Sequence, residues 1–124
     1  MIWTKMLMGS DLPGGVVCGP GVILPHGGRL LSVNSRSVLG SNVTLQQHVI
    51  LGTTLGDARA PKIGDDVFVG PRATILGGVE VGSRTIIGAH AVVTKSVPDD
   101  SIAFGIPAHA KPRTSDVWVF AKTD

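Results

Sequence analysis

The sequence has no tyrosine, its aromatic residues amount to 4%, and it holds a single cysteine. A core without large rings must be narrow, filled by branched aliphatic side chains. Cys18 alone excludes a disulfide framework within the chain and fits a reducing compartment, so a cytoplasmic location is expected. No stretch reaches the roughly 20 apolar residues of a membrane span, and the opening Met1-Ile2-Trp3-Thr4-Lys5-Met6 lacks the apolar run of a signal peptide. The net charge of +2 is too small to indicate a nucleic-acid partner, which needs a clustered basic face. What is present is 43% hydrophobic residues and 17 glycines in 124 positions. That composition excludes disorder and suits one domain, 1–124, whose corners are turned by glycine.

Aliphatic residues recur every six positions at Val33, Leu39, Leu45, Leu51, Ile63, Val69, Ile75, Val81, Ile87 and Val93, and Asp57 alone breaks the series. Four residues after each of them except Leu51 stands a smaller side chain: Ser37, Val43, Val49, Val67, Ala73, Val79, Thr85, Ala91 and Val97. A helix needs a period of 3.6 and a flat sheet a period of 2, so neither explains two inward positions in six. Short strands separated by tight corners do, stacked as coils over about 11–98. Upstream, Cys18, Leu24 and Leu30 are expected to point inward at spacings of six, with an irregular bulge just after His26. Residues of about 53–62 lack apolar side chains at the repeat positions and read as an extruded loop. Residues 99–124 read as a C-terminal tail.

This register, running from Asp11 to Pro112, resembles the hexapeptide-repeat acyltransferases. The segment from Asp11-Leu12-Pro13 through Cys18-Gly19-Pro20-Gly21 to Pro25-His26-Gly27-Gly28 is similar to their serine acetyltransferase and polysaccharide O-acetyltransferase branch. The resemblance implies an all-β, left-handed parallel β-helix of about four to five coils. It also implies an acetyl-CoA-dependent O-acetyltransferase that works as a homotrimer, with active sites between subunits and no metal. By the same resemblance His26 is the general base, and Asp11, fifteen residues earlier, fixes its tautomer and stabilises the imidazolium. The alternative is a turn histidine and a turn-starting aspartate.

The stretch Gly56-Asp57-Ala58-Arg59-Ala60-Pro61-Lys62-Ile63 resembles the family's active-site loop. Arg59 is the expected acceptor contact, supplied by a neighbouring subunit, or else a plain solvated charge. Gln47 and His48 are further acceptor candidates, with His48 otherwise a surface histidine on a strand face. The histidine of the family loop is replaced by Ala60, and Pro25 stands where serine-specific members carry an acid. Those members also have a helical N-terminal domain not found in these 124 residues. These departures favour a sugar or saccharide hydroxyl over serine. For CoA, Ile87-Gly88-Ala89-His90-Ala91-Val92-Val93 matches the family's last-coil motif. It implies that Gly70, Gly88 and Ala89 let the pantetheine arm approach the backbone, with Lys95 or Lys111 at the phosphates. His90 and His109 read as solvent-facing corner or tail residues.

Two other functions use the same architecture. The γ-class carbonic anhydrases bind zinc through three histidines, two of them five positions apart, whereas the four histidines here are separated by 22, 42 and 19 residues. A non-catalytic trimeric module, which only assembles or binds partners, stays open. Cys18 occupies an inward repeat position and reads as a small core residue, not a nucleophile.

Overall fold

The computed structural model of the chain describes residues 14–25 and 29–114. Asp11 and His26, the expected base and its orienting partner, lie outside the described residues. Thirteen short strands appear in chain order among those described. They are β1 (Val17–Cys18), β2 (Ser32–Val33), β3 (Val38–Leu39), β4 (Thr44–Leu45), β5 (Ile50–Gly52), β6 (Lys62–Ile63) and β7 (Phe68–Val69). Then follow β8 (Thr74–Leu76), β9 (Glu80–Val81), β10 (Ile86–Ile87), β11 (Val92–Val93), β12 (Ser101–Gly105) and β13 (Ala108–Pro112).

They assemble into three sheets, each the face of a prism. Face I holds β1-β3-β6-β9, face II holds β4-β7-β10-β12-β13 and face III holds β2-β5-β8-β11. The chain therefore winds from face I to II to III and repeats, a parallel β-helix. Two-residue strands suffice because each coil hydrogen-bonds to the next and buries its apolar side chains against it.

Register locates both irregularities. Ile23 pairs with Thr44, an offset of 21, whereas Ser32 pairs with Ile50, an offset of 18, so three extra residues lie between Ile23 and Ser32. The expected bulge after His26 falls in that interval. Thr44 pairs with Phe68 and Ile50 with Thr74, offsets of 24, so six extra residues form the loop before β6. By the next coil the offset is back to 18, as in Phe68 with Ile86. The loop ends at Pro61, because Lys62 already belongs to β6.

Both inward series are buried as the six-residue pattern requires, from Val33 to Val93 and from Ser37 to Val97. One member of the upstream extension is not. Leu30 is 57% exposed with φ at +53°, and Leu31 is buried instead. The three-residue insertion moves the inward position of that coil to Val33, which pairs with Leu51, so counting by six from Leu24 lands three residues early. Cys18 and Leu24 do pack against the core. Beyond residue 98, β12 pairs in parallel with β10 as a further rung of face II, and β13 folds back on it. No helix among the described residues is long and apolar enough to cross a membrane.

The I–II and II–III corners are tight because one residue in each turn adopts the left-handed region. Asn42, His48, Asp66, Arg72, Arg84 and His90 have φ between 55° and 63°. For an L-residue this costs roughly 1–2 kcal/mol. The stacking of coils sustains it: the N–H of each donates to the carbonyl of the coil below, as Arg84 to Asp65 at 2.8 Å and His90 to Pro71 at 3.0 Å.

Candidate active-site edges

The residues singled out in the sequence fall on separate edges of the prism. Gln47, His48, Gly70, Gly88 and Ala89 lie on the corner between faces II and III, in the turns that follow β4, β7 and β10. Arg59 and Lys95 lie on the corner between faces III and I, and Lys111 sits in β13 at the margin of face II.

On the III–I corner the extruded loop folds over a groove of about 580 Å³ whose charged lining is Arg36, Asp57, Arg59, Lys62 and Glu80. Asp57 N–H donates to the Thr54 carbonyl at 3.1 Å, which closes a turn at the loop tip. Arg59 is clamped by Asp57: its Nε donates to both carboxylate oxygens at 3.1 and 3.0 Å, and its Nη2 donates to Oδ2 at 2.7 Å. The Arg59 N–H also donates to Oδ1 at 3.0 Å. These bonds hold the Asp57 carboxyl at about 2, well below the usual carboxylate range, and push the guanidinium of Arg59 up. Arg36 braces the loop by donating from Nη1 to the Ala58 carbonyl at 3.3 Å. Gly78 lies under the arginine, because a Cβ there would stand 2.8 Å from the Arg59 Cβ. Asp57, Arg36 and Gly78 were missed by sequence reasoning. The signal that could have found Asp57 is an aspartate two residues before an arginine in a turn.

Ala60 is buried at 6% exposure and presents no polar group to this groove. Cys18 is packed against the core, and burial pushes its thiol up, which suits a small apolar residue.

The II–III corner is built differently. His48 sits in the corner itself with φ at +61°, not on a strand face, because it stands three residues after inward Leu45 and shares the phase of Asn42 and His90. The amides of Gly70 and Gly88 are used within the scaffold, donating to the carbonyls of Ile87 and Ala103 at 2.8 Å. Gly70 must lack a side chain, since a Cβ would stand 2.8 Å from the Ala89 nitrogen. The amides of Gln47 and Ala89 have no acceptor among the described residues, and the Gln47 Oε1 is buried without a partner among them. So the scaffold occupies the amides of Gly70 and Gly88 and leaves those of Gln47 and Ala89 open.

A six-residue repeat wound into three parallel faces, with an extruded loop on one corner, defines the chain as a hexapeptide-repeat left-handed β-helix protein. The family model described as bacterial transferase hexapeptide (six repeats) matches residues 60–95. The chain is 35% identical over 107 residues to a serine acetyltransferase of Mycobacterium tuberculosis, across 85% of this chain and 46% of that protein. It superposes on a serine acetyltransferase of Neisseria gonorrhoeae in complex with serine with a TM-score of 0.79 at 36% identity, covering 85% of this chain and 43% of the other. A serine acetyltransferase in complex with CoA gives a TM-score of 0.79 at 34% identity, covering 86% of this chain and 44% of the other. The chain thus spans about half the length of the curated relatives it matches.

Proposed function

We propose that the chain transfers an acetyl group from acetyl-CoA to a hydroxyl group, with serine as the acceptor. The observation that carries this reading is its match, over 86% of its length, to a serine acetyltransferase solved with CoA. The preference for a sugar hydroxyl that Ala60 and Pro25 suggested finds no support among the relatives, which are named for serine.

In the proposed reaction His26 takes the proton from the acceptor hydroxyl as its oxygen attacks the thioester carbonyl. Asp11 holds the imidazole in the required tautomer and stabilises its charged form. The tetrahedral intermediate then collapses with cleavage of the C–S bond, and His26 returns its proton to the departing CoA sulfur. In this reading the open amide of Ala89 donates to a carbonyl of the pantetheine arm, beside Gly70 and Gly88. Arg59, fixed by Asp57, presents the rest of its guanidinium to the acceptor in the loop groove.

The II–III and III–I corners are different edges of one prism. A site that uses both is completed by packing the loop corner of one copy against the II–III corner of the next, which is the reason for proposing a homotrimer. Sedimentation at micromolar concentration tests the assembly, and a monomer contradicts it. Release of CoA thiol from acetyl-CoA, measured with serine, simple sugars and nucleotide sugars, tests the reaction. Turnover with serine is expected. Thiol release with sugars and none with serine reverses the acceptor assignment, and CoA binding without release to any acceptor favours the non-catalytic module.

A further inference from the structure

The groove under the extruded loop holds charge of two kinds. Asp57 and Arg59 satisfy each other: the carboxylate takes the Nε proton and an Nη2 proton of the guanidinium, so the pair is neutral as a unit. The other charged side chains of the lining are Arg36, Lys62 and Glu80, and among the described residues none of them forms an ion pair. Arg36 gives one side-chain bond, from Nη1 to the Ala58 carbonyl, and keeps its remaining N–H groups. Lys62 and Glu80 are partners on adjacent strands, β6 and β9, and both side chains point outward, because the next residues, Ile63 and Val81, point into the core. Such strands stand about 4.8 Å apart, so the two charges lie side by side on one wall. The backbone of Glu80 is pinned, its N–H donating to Ser96 Oγ at 3.0 Å and its carbonyl accepting from the Val97 N–H at 2.9 Å.

Two free cations beside one free anion discriminate between acceptors. A neutral sugar leaves all three groups to water, and a simple carboxylate leaves Glu80 facing a second anion. An α-amino acid carries an ammonium and a carboxylate on one carbon and matches both signs within one short span. We infer that Glu80 is a specificity-determining residue that receives the ammonium group of the acceptor and that Arg36 receives its carboxylate, an assignment that rests on the proposed transfer to serine. Arg59 does not suffice for the carboxylate, because the side-on fork of its guanidinium, Nε with Nη2, is held by Asp57. Lys62, next to Glu80, repels an amine that arrives without a carboxylate.

Steady-state release of CoA thiol by the full chain tests the assignment with serine, with 3-hydroxypropionate, which lacks the ammonium, and with ethanolamine, which lacks the carboxylate. Wild type is compared with Glu80→Gln and Arg36→Gln, and calorimetry measures serine binding to each. Glu80→Gln is expected to raise the KM for serine roughly fivefold with kcat nearly unchanged, the scale of a charge-assisted contact at an exposed site. It leaves 3-hydroxypropionate no worse an acceptor, which a merely structural role does not do. Arg36→Gln is expected to weaken serine and 3-hydroxypropionate alike and to leave ethanolamine unchanged. If serine binds in a Glu80- and Arg36-dependent way without thiol release, the transfer reading fails and the amino-acid site stands. If serine is acetylated and neither variant changes its KM, or Glu80→Gln acts equally on serine and 3-hydroxypropionate, the assignment is overturned and the transfer reading stands. Serine that neither binds nor reacts removes both.

Discussion

Two corners of the same prism share a backbone and differ in how they treat their amides. On the I–II corner the coils are stitched by side chains: Ser41 N–H donates to Asp65 Oδ1 at 2.8 Å, Asp65 N–H to Ser83 Oγ at 3.0 Å, and Ser83 N–H to Asp99 Oδ1 at 2.8 Å. The charges there are matched as well, with Arg84 Nε donating to Asp100 Oδ1 at 2.7 Å and Arg113 Nη1 to the Arg84 carbonyl at 2.8 Å. On the II–III corner the corresponding positions are Gln47, Pro71 and Ala89. Pro71 on the coil above Gln47 and Gly105 on the coil above Ala89 offer no side-chain acceptor, so the amides of Gln47 and Ala89 stay open, and the basic His48, Arg72 and His90 of this corner stay unmatched among the described residues. A corner that satisfies itself is scaffold, and one that does not is available to a ligand.

The contrast breaks most severely at Gly40. A Cβ there would meet Asp65 Oδ1 and stand 2.6 Å from the Gly64 carbonyl oxygen. The stacked coils cannot separate without losing the bond from Gly40 N–H to Ile63 O, so Gly40→Ala is expected to cost about 3 kcal/mol, read from the urea midpoint. Asp65→Ala removes the acceptor for Ser41 and is expected to cost about 1 kcal/mol by the same assay. Arg72→Gly, on the other corner, changes stability in the opposite direction. It relieves a left-handed arginine that makes no side-chain hydrogen bond or ion pair among the described residues and stabilises by about 0.5 kcal/mol after the entropy of glycine is subtracted.

The smallest effect concerns the loop. Asp57 has a folded pKa of about 2, below its ordinary 3.8, so its bond to Arg59 contributes stability that is present above the ordinary value and is lost as pH falls towards 2. The melting temperature of Asp57→Asn is therefore expected to lie slightly below that of wild type at neutral pH. That gap should close between about pH 4 and pH 2. A gap that widens in acid contradicts the pairing.

The sequence carried most of this fold because its two inward positions recur with the period of the coil, and burial follows them from Val33 to Val97. Leu30 was misplaced where three residues interrupt the count, since spacing alone does not reveal at which residue a phase changes. The candidate site was legible in parts. Arg59, Gly70, Gly88 and Ala89 were marked by local motif, and His48 was marked as an acceptor candidate, with a strand face as its alternative, although its phase puts it in a corner. The pairing of Asp57 with Arg59 is local and was overlooked, whereas the difference between a stitched and an open corner depends on which residues stack across coils 18 to 24 positions apart. Those offsets are fixed only once the insertions are placed.

The central claim is that His26 removes the acceptor proton during acetyl transfer from acetyl-CoA. The most direct measurement is the rate of CoA thiol release with serine for wild type and His26→Ala, alongside CoA affinity for both. The account predicts a fall in kcat of ~10²–10⁴-fold with CoA affinity nearly unchanged, because a base acts only as attack begins. A His26→Ala variant that turns over at the wild-type rate, or a loss of turnover on His48→Ala instead, contradicts it.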